Sequence, residues 1–331
     1  QYCSGGIVLS SSNDTNITSN TIAVVTSYTR YGIQVISSAN NAISLNNITT
    51  SGGPIYGFYS SSSANATLTN NRFNTTSSVA VYVTGTTISD YNHSINTSNL
   101  AEGLPIWYNY SVSNAVILQN TNVSSTIGQL ICAWCTNVTY DNVTMGSDGF
   151  SFYNTSTSTI NNSKVTTSKG YGVFAYGSNS AFLQNNSFNL LNITTTTNSY
   201  LYGIYLLTAS GNNVTNCNVS TNGTSSYAMY LDTSLYNNLI SNIITTSGTS
   251  GNGISFNSLS LVMYGNVITS NTITTSGVGI LLTRNQNSNI VSNNITTSGA
   301  NNFGIYSGAG VNSAGNNNLT NNNITTSGTT A

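Results

Sequence analysis

Apolar residues recur along this chain in short runs, and no segment carries a sustained helical stripe. Around residue 280, Ile280 and Leu282 stand two positions apart, a polar tract follows, and Ile290 and Ile295 precede a Thr-Thr-Ser-Gly sequence. Apolar positions at this spacing, in short runs bounded by Gly, Asn and Ser, are typical of strands and corners. The pattern therefore predicts an all-β chain.

The pattern also repeats at a nearly constant period of about 25 residues, which is the range expected of solenoids. One repeated word, Ile-Thr-Thr-Ser-Gly, begins at Ile48, Ile244, Ile273, Ile295 and Ile324. Strands this short and this regular can stack turn upon turn, about 4.8 Å apart. We therefore expect a parallel β-helix (solenoid) of about a dozen turns, with roughly 25 residues per turn, as a single domain over residues 1–331. A second word, Gly or Ala followed by an apolar residue, has that apolar residue at Ile7, Ile33, Phe58, Val81, Phe150, Val173, Ile204, Met229, Ile254, Ile280 and Ile305.

Stacking gives the many Asn residues a physical role. In a coil of this kind, equivalent residues lie in register, so an Asn amide can donate to the same amide one turn away, as in cross-β stacks. Asn also tolerates the left-handed backbone of corners. We expect ladders of buried Asn, and we place Asn294 and Asn323 within them.

Residues 84–128 break the rhythm and form an irregular insertion. They contain Tyr91–Asn99, of sequence YNHSINTSN, and Glu102–Tyr108, of sequence EGLPIWY. Both segments resemble a recurrent insertion in archaeal cell-surface right-handed parallel β-helix proteins, NosD-like members of the pectate-lyase-like superfamily. Cys135–Val143 is similar to a further word of that family. The resemblance implies a right-handed coil and a place on an archaeal cell surface.

Charge is scarce, with five cationic side chains, six anionic side chains and one His, for a net charge of -1. A nucleic-acid partner is excluded, because phosphate neutralisation needs clustered Lys and Arg. No apolar run is long enough to span a bilayer, so we expect no membrane span. With so few titrating groups, acid is not expected to unfold the chain by the usual carboxylate route.

The charged residues offer one constellation for acid–base chemistry, formed by Asp141, Asp148, Lys164 and Lys169. Aligning Val143 with Val165 would place these charges on adjacent turns. Paired carboxylates, or a carboxylate with a cationic base, serve polysaccharide cleavage. Because no Asp-x-Asp or Asp-Asp motif accompanies them, surface ion contacts are the favoured interpretation.

A second group, Asp90, His93 and Glu102, is interpreted as part of the structural signature of the insertion. Asp90 and Glu102 are both acidic and lie within the irregular segment. We accordingly predict no catalytic residue and no enzyme activity, with a polysaccharide lyase or hydrolase as the alternative.

No cofactor and no metal site are expected, because one His, three Met and four Cys form no ligand cluster. Cys132 and Cys135 have the spacing of a redox or zinc half-site, but no second half-site follows. A local disulfide between them, a buried thiol and a bridge to the insertion all stay open. Cys3 and Cys217 lie too many turns apart to pair in a straight coil.

Asn-x-Ser/Thr triplets are the strongest surface signal, since glycosylation at such triplets implies a secreted chain. The candidate glycosylation sites are Asn16, Asn65, Asn74, Asn92, Asn109, Asn122, Asn137, Asn154 and Asn222.

The favoured function is that of an extracellular structural protein at the cell surface. It would be a glycan-bearing subunit of a filament or envelope layer that self-associates head to tail, with a possible adhesive role. The alternative is a carbohydrate-binding or polysaccharide-processing β-helix, in which Trp107, Tyr108, Tyr110 and Trp134 form an aromatic face near Glu102 and Asp141. A copper-handling role is the third possibility.

Overall fold

The computed structural model describes residues 6–53, 55–76, 78–122, 127–178, 183–196, 201–258, 261–300, 302–308 and 315–328. Over these ranges the chain winds as a parallel β-solenoid of about 12 turns, with about 25 residues per turn. The helical content of the described residues is a single 3-10 turn at Ile88–Tyr91. The predicted all-β solenoid is therefore confirmed.

A typical turn carries three short strands separated by corners, and equivalent strands of successive turns pair in parallel. The first four turns, which we name the first coil, follow this plan and end at Ala101. The strands of the first coil are Ile7–Ser10, Asn16–Thr18, Thr21–Thr26, Arg30–Ile36, Ala42–Ser44, Asn47–Gly52, Ile55–Ser61, Thr67–Thr69, Arg72–Thr75, Val81–Thr84, Ser94–Ile95 and Leu100–Ala101.

The remaining turns, from residue 104 onward, form the second coil. Its longer strands, Ser113–Asn122 and Thr136–Gly146, each span two strand positions of a later turn. The strands of the second coil are Leu104–Tyr110, Ser113–Asn122, Gln129–Ala133, Thr136–Gly146, Phe150–Tyr153, Thr159–Asn161, Lys164–Thr167, Val173–Tyr176, Leu183–Gln184, Ser187–Asn189, Asn192–Thr195, Ile204–Leu207, Ala209–Ser210, Asn213–Thr215, Asn218–Thr221, Met229–Asp232, Asn238–Ile240, Ile243–Thr246, Ile254–Asn257, Met263–Tyr264, Val267–Thr269, Thr272–Thr275, Ile280–Thr283, Asn285–Gln286, Asn289–Val291, Asn294–Thr297, Ile305–Gly308, Asn318–Thr320 and Asn323–Thr326.

The chain reverses direction between the two coils. Leu100–Ala101 ends the first coil, and Leu104–Tyr110 returns beside it in antiparallel pairing, with Ala101 opposite Leu104. The turn between them is tight because Glu102 and Gly103 both have positive φ, at 54° and 84°. Leu104–Tyr110 then pairs in parallel with the next turn, so one 13-stranded sheet, the shared sheet, runs through both coils.

The two hydrophobic cores lie on opposite faces of the shared sheet. In the strand Gln129–Ala133, Leu130 and Cys132 belong to the core of the second coil, whereas Ile131 and Ala133 belong to that of the first. Alternate side chains of a strand point to opposite faces, so this strand is buried on both sides. The second coil is therefore displaced sideways from the first, a feature that the repeat pattern of the sequence does not predict.

Buried Asn ladders run up the corners, as predicted. In the first coil, Asn46 Nδ2 donates to Asn71 Oδ1 at 2.9 Å, and Asn71 Nδ2 donates to Asn99 Oδ1 at 2.9 Å. Two further ladders climb the second coil. Their members are Asn186, Asn212, Asn237 and Asn266 in one, and Asn242, Asn271, Asn293 and Asn322 in the other.

The placement of Asn294 and Asn323 in a buried ladder is wrong, because both side chains are exposed. Asn323 Nδ2 does donate to Asn294 Oδ1 at 3.1 Å, but this contact lies on the outer surface. In the Asn-Asn-Ile-Thr words at residues 46–49 and 293–296 the Ile is buried in the core, and Ile324 of the word at residues 322–325 lies in register with Ile295. The Asn directly before each Ile therefore points outward, as strand alternation requires. The preceding residue, Asn293 or Asn322, turns inward at the corner and occupies the ladder.

Candidate functional site

The first charged constellation is divided by the structure. Met145, not Val143, pairs with Val165, because this turn is 20 residues long. The register predicted from the sequence is therefore wrong by two residues. Asp141 accepts a hydrogen bond from Asn161 Nδ2 at 2.7 Å on an outer strand position. Lys164 is exposed beside Thr144.

Asp148 and Lys169 come together with Glu102 where the two coils meet. Lys169 Nζ lies 2.5 Å from Glu102 Oε2, and Glu102 Oε1 accepts from the Thr75 N–H at 2.7 Å. Asp148 is buried, and its Oδ2 accepts from the Ala80 N–H at 2.7 Å. Burial, with a smaller contribution from Glu102, raises the pKa of Asp148 to about 7. Both carboxylates accept hydrogen bonds from backbone N–H groups of the first coil. Their role is therefore to hold the two coils together, and we call this contact the joint.

Gln129 completes this joint. Its Oε1 accepts from the Val81 N–H at 2.9 Å, and its Nε2 donates to the Val81 carbonyl at 2.8 Å. The strand Val81–Thr84 has no further strand beside it at this edge. Gln129 and Asp148 make the hydrogen bonds that such a strand would otherwise make. Sequence reasoning missed Gln129, because no pattern marks a side chain that replaces a strand.

The second charged group is also divided. Asp90 Oδ2 accepts from the backbone N–H groups of Thr86 and Thr87, both at 2.9 Å, and so caps the 3-10 turn. His93 is buried, with Nδ1 accepting from the Ala66 N–H at 3.2 Å and Nε2 lying 3.1 Å from Ser60 Oγ. Since Nδ1 is an acceptor, the proton of the neutral ring is on Nε2. Burial lowers the pKa of His93 to about 4.

The largest aromatic feature is a partly exposed surface of tyrosines that crosses both coils, which we name the tyrosine surface. Ring contacts link its members in sequence, from Tyr59 to Tyr82 at 5.6 Å and from Tyr202 to Tyr230 at 4.8 Å. Phe174 bridges the coils, with its ring 5.7 Å from that of Tyr82 and 5.2 Å from that of Tyr205. The members are Tyr31, Tyr56, Tyr59, Tyr82, Tyr171, Tyr202, Tyr205, Tyr227 and Tyr230.

Strand register creates this surface. Tyr59 pairs with Tyr82 and Tyr205 pairs with Tyr230, each at an outward position of the first strand of its turn. A further column stacks Tyr171, Tyr202 and Tyr227, whose rings are nearly parallel. A sequence signal for it existed, because a Tyr-Gly word begins the turns at residues 31, 56, 171 and 202.

The tyrosine surface is concave, and its own side chains are uncharged, while Arg30 borders it beside Tyr31 and Asp232 borders it beside Tyr205 and Tyr230. The strand Val81–Thr84 meets the shared sheet edge-on through Gln129 and Asp148, so the outer faces of the two coils form an inside corner at Tyr82. Burial, followed by neighbouring phenols, raises the pKa of Tyr56 to about 12 and that of Tyr171 well above its usual value. The phenols therefore remain neutral hydrogen-bonding groups above an apolar floor.

The aromatic face expected from the insertion does not form. Trp107 packs toward the core of the second coil, whereas Tyr108, Tyr110 and Trp134 pack toward that of the first. The reason is strand alternation within Leu104–Tyr110. The hydroxyls of Tyr108 and Tyr110 donate to backbone carbonyls at 2.6 Å and 3.2 Å, and so help to fix the insertion.

Cys132 and Cys135 form a disulfide inside the second core. Cys217 is a free, buried thiol whose pKa burial raises to about 12. Cys3 lies outside the described residues, so its predicted failure to pair with Cys217 stays a prediction.

The candidate glycosylation sites differ in accessibility. Asn154 is buried, with 6% of its surface exposed, and its Oδ1 accepts from the Ser178 N–H at 2.6 Å, so this prediction does not fit the fold. Asn74 and Asn109 are partly buried, and Asn109 Nδ2 donates to Tyr140 Oη at 3.2 Å. The side chain of Asn122 lies outside the described residues. The exposed candidates are Asn16, Asn65, Asn92, Asn137 and Asn222.

Among the residues that the structure describes, no three His, Cys, Asp or Glu side chains gather in a way that could hold a metal ion. No helix within the same ranges has the length and apolar character needed to cross a membrane.

Several solved structures wind in a similar way. The Azotobacter vinelandii mannuronan C-5 epimerase AlgE6 A-module is 11% identical, with 92% of this chain and 79% of that chain covered at a TM-score of 0.48. The AlgE4 A-module of the same organism is 10% identical, with 96% and 90% covered at 0.44. The periplasmic alginate epimerase AlgG is 13% identical, with 92% and 78% covered at 0.41.

No curated protein sequence matches this chain. A family model described as "Right handed beta helix region" matches residues 5–188 and residues 135–324, which together span most of the chain. The chain therefore belongs to the right-handed β-helix family.

Proposed function

We propose that this chain is a carbohydrate-binding β-helix protein that holds an extended, uncharged polysaccharide on the tyrosine surface. The observation that carries the proposal is the concave run of partly exposed phenols on both coils, whose two groups meet where the buried Phe174 ring contacts both Tyr82 and Tyr205. Tyr offers a flat apolar ring and a polar hydroxyl, so it can contact both the C–H face and the hydroxyl groups of a sugar. Isolated surface aromatics need no explanation, but a contiguous patch marks a binding surface.

Charge supports a neutral ligand. The phenols of the surface stay protonated, and the nearby cation Lys169 is already paired with Glu102. An anionic polymer would therefore find no free countercharge in the joint. Because Asp148 is enclosed and Glu102 is held by backbone and by Lys169, the proposal is binding and not cleavage.

Affinity electrophoresis through gels that contain soluble neutral or uronate-containing polysaccharides tests the proposal. We expect retardation in at least one neutral gel and a clear loss of retardation for Tyr202→Ala. Tyr236→Ala is the matched control, because Tyr236 is 58% exposed and lies outside the tyrosine surface. Equal mobility in every gel, or equal effects of both variants, would contradict the proposal.

A place on an archaeal cell surface, attached glycans and head-to-tail assembly into a filament stay predictions from the sequence. Sedimentation of native material tests assembly, and its intact mass tests glycan attachment at the exposed sites such as Asn92 and Asn222. A monomer with no added hexose mass would contradict both predictions.

A further inference from the structure

A shallow surface pocket of about 290 Å³, which we call the cavity, lies where the last corner of the first coil faces the first strand of the second. Its lining comes from two chain segments that the reversal at Gly103 brings together. The lining residues are Ile95, Asn96, Thr97, Trp107, Tyr108 and Asn109.

The lining combines two aromatic residues, Trp107 and Tyr108, with amide and hydroxyl groups, and it includes no charged side chain. Asn96 Oδ1 accepts from Ser98, and Asn109 Nδ2 donates to Tyr140 Oη. Within the described ranges, Asn96 Nδ2 and the Thr97 hydroxyl make no protein hydrogen bond, so both are available to a ligand. Trp107 is partly exposed.

We propose that this cavity binds a single pyranose ring of a neutral sugar, stacked on Trp107 and held by Asn96 Nδ2 as a donor and Asn109 Oδ1 as an acceptor. Asn109 Nδ2 is already bonded to Tyr140 Oη and to the Ile131 carbonyl. A volume near the lower end of ligand cavities suits one small ring better than a polymer. Trp107 packs toward the second core, whereas Tyr171 and Tyr205 of the tyrosine surface pack on the other face of the shared sheet, and Tyr59 and Tyr82 belong to a separate sheet of the first coil. The cavity is therefore a second site, independent of the proposed polysaccharide surface.

The chain contains two Trp residues, which makes the site observable. Trp134→Phe leaves Trp107 as the sole Trp, and its fluorescence can be titrated with glucose, galactose, mannose and N-acetylglucosamine. We expect a saturable change with at least one of these sugars, with a dissociation constant on the order of 1 mM. The absence of a saturable change with all four sugars up to about a hundred times that concentration would overturn the proposal.

Saturation-transfer NMR on the unsubstituted chain gives an independent readout. The transfer to the bound sugar should disappear in Trp107→Phe and weaken in Asn96→Ala, a change in an exposed corner that leaves the core intact. It should persist in Tyr202→Ala, the variant that impairs the tyrosine surface. Transfer that is lost in Tyr202→Ala and kept in both cavity variants would assign the sugar to the tyrosine surface and overturn the second site.

Discussion

Two buried titratable side chains, Asp148 and His93, respond to acid in opposite directions. The pKa of Asp148 rises from 3.8 to about 7 on folding, so the folded state takes up a proton first and gains stability as the pH falls from 7 toward 4. The pKa of His93 falls from 6.5 to about 4, so the unfolded state takes up a proton first and the folded state loses stability over a similar interval. The two effects oppose each other between pH 4 and 6.5.

Substitution of either residue should therefore reveal the effect of the other. The unsubstituted chain should show little change in melting temperature between pH 7 and 4.5. Asp148→Asn, which keeps an acceptor for the Ala80 N–H, should melt lower at pH 4.5 than at pH 7. His93→Gln should melt higher at pH 4.5 than at pH 7. Thermal unfolding followed by circular dichroism measures this, and slopes of the same sign in both variants would contradict the assignment.

The Asn ladders give a second prediction at this scale. Asn242 Nδ2 donates to the Val214 carbonyl and to Asn271 Oδ1, while its Oδ1 accepts from the Cys217 N–H, all at 2.9 Å. Asn242→Ala leaves buried groups unpaired and should cost about 3 kcal/mol of unfolding free energy. Asn294→Ala is the exposed control and should cost less than about 0.5 kcal/mol. Denaturant unfolding that gives equal costs would show that the ladder contributes nothing specific.

At the scale of elements, the strands of the regular turns could be predicted from the repeated words, because register forces the same residue types onto the same positions in successive turns, whereas strands such as Leu104–Tyr110 and Ser113–Asn122 lie in the segment without a repeat. The reversal at Glu102 and Gly103 could not, since both residues lie in a segment that had already lost the rhythm. The only sign of the reversal in the sequence is an indirect one, namely strands that are apolar on both faces. Strands such as Val173–Tyr176 are apolar throughout, as expected for strands buried on both faces, and the outer face of this one packs against the first coil.

The joint between the coils also depends on Gln129, whose side chain makes the hydrogen bonds to Val81 that a neighbouring strand would otherwise make. Gln129→Ala removes the hydrogen-bond partners of the Val81 N–H and carbonyl. Native-state hydrogen exchange at the Val81 amide should therefore become at least tenfold faster, which corresponds to a loss of about 1.4 kcal/mol in the free energy of local opening. Gln184→Ala, at an exposed position of the second coil, is the control. Unchanged protection of Val81 in Gln129→Ala would mean that the edge is closed in another way.

At the scale of the whole molecule, the sideways displacement of the second coil creates the tyrosine surface. A straight solenoid would carry its tyrosines along a convex face, whereas here Tyr82 of one coil meets Phe174 of the other in an inside corner. The sequence indicated where Tyr-Gly words occur, but it could not place the two groups of tyrosines together. The two groups meet because residues 100–101 pair in antiparallel fashion with residues 104–105, and no repeat in the sequence predicts this pairing.

The most direct test is calorimetric titration with the polysaccharide that the protein retains best, using one variant from each coil. Tyr59→Ala in the first coil and Tyr205→Ala in the second should each weaken binding by about threefold to tenfold, as expected for the loss of one aromatic contact. Tyr236→Ala should bind like the unsubstituted chain. Undiminished affinity in either coil's variant would contradict a single binding surface that spans both coils.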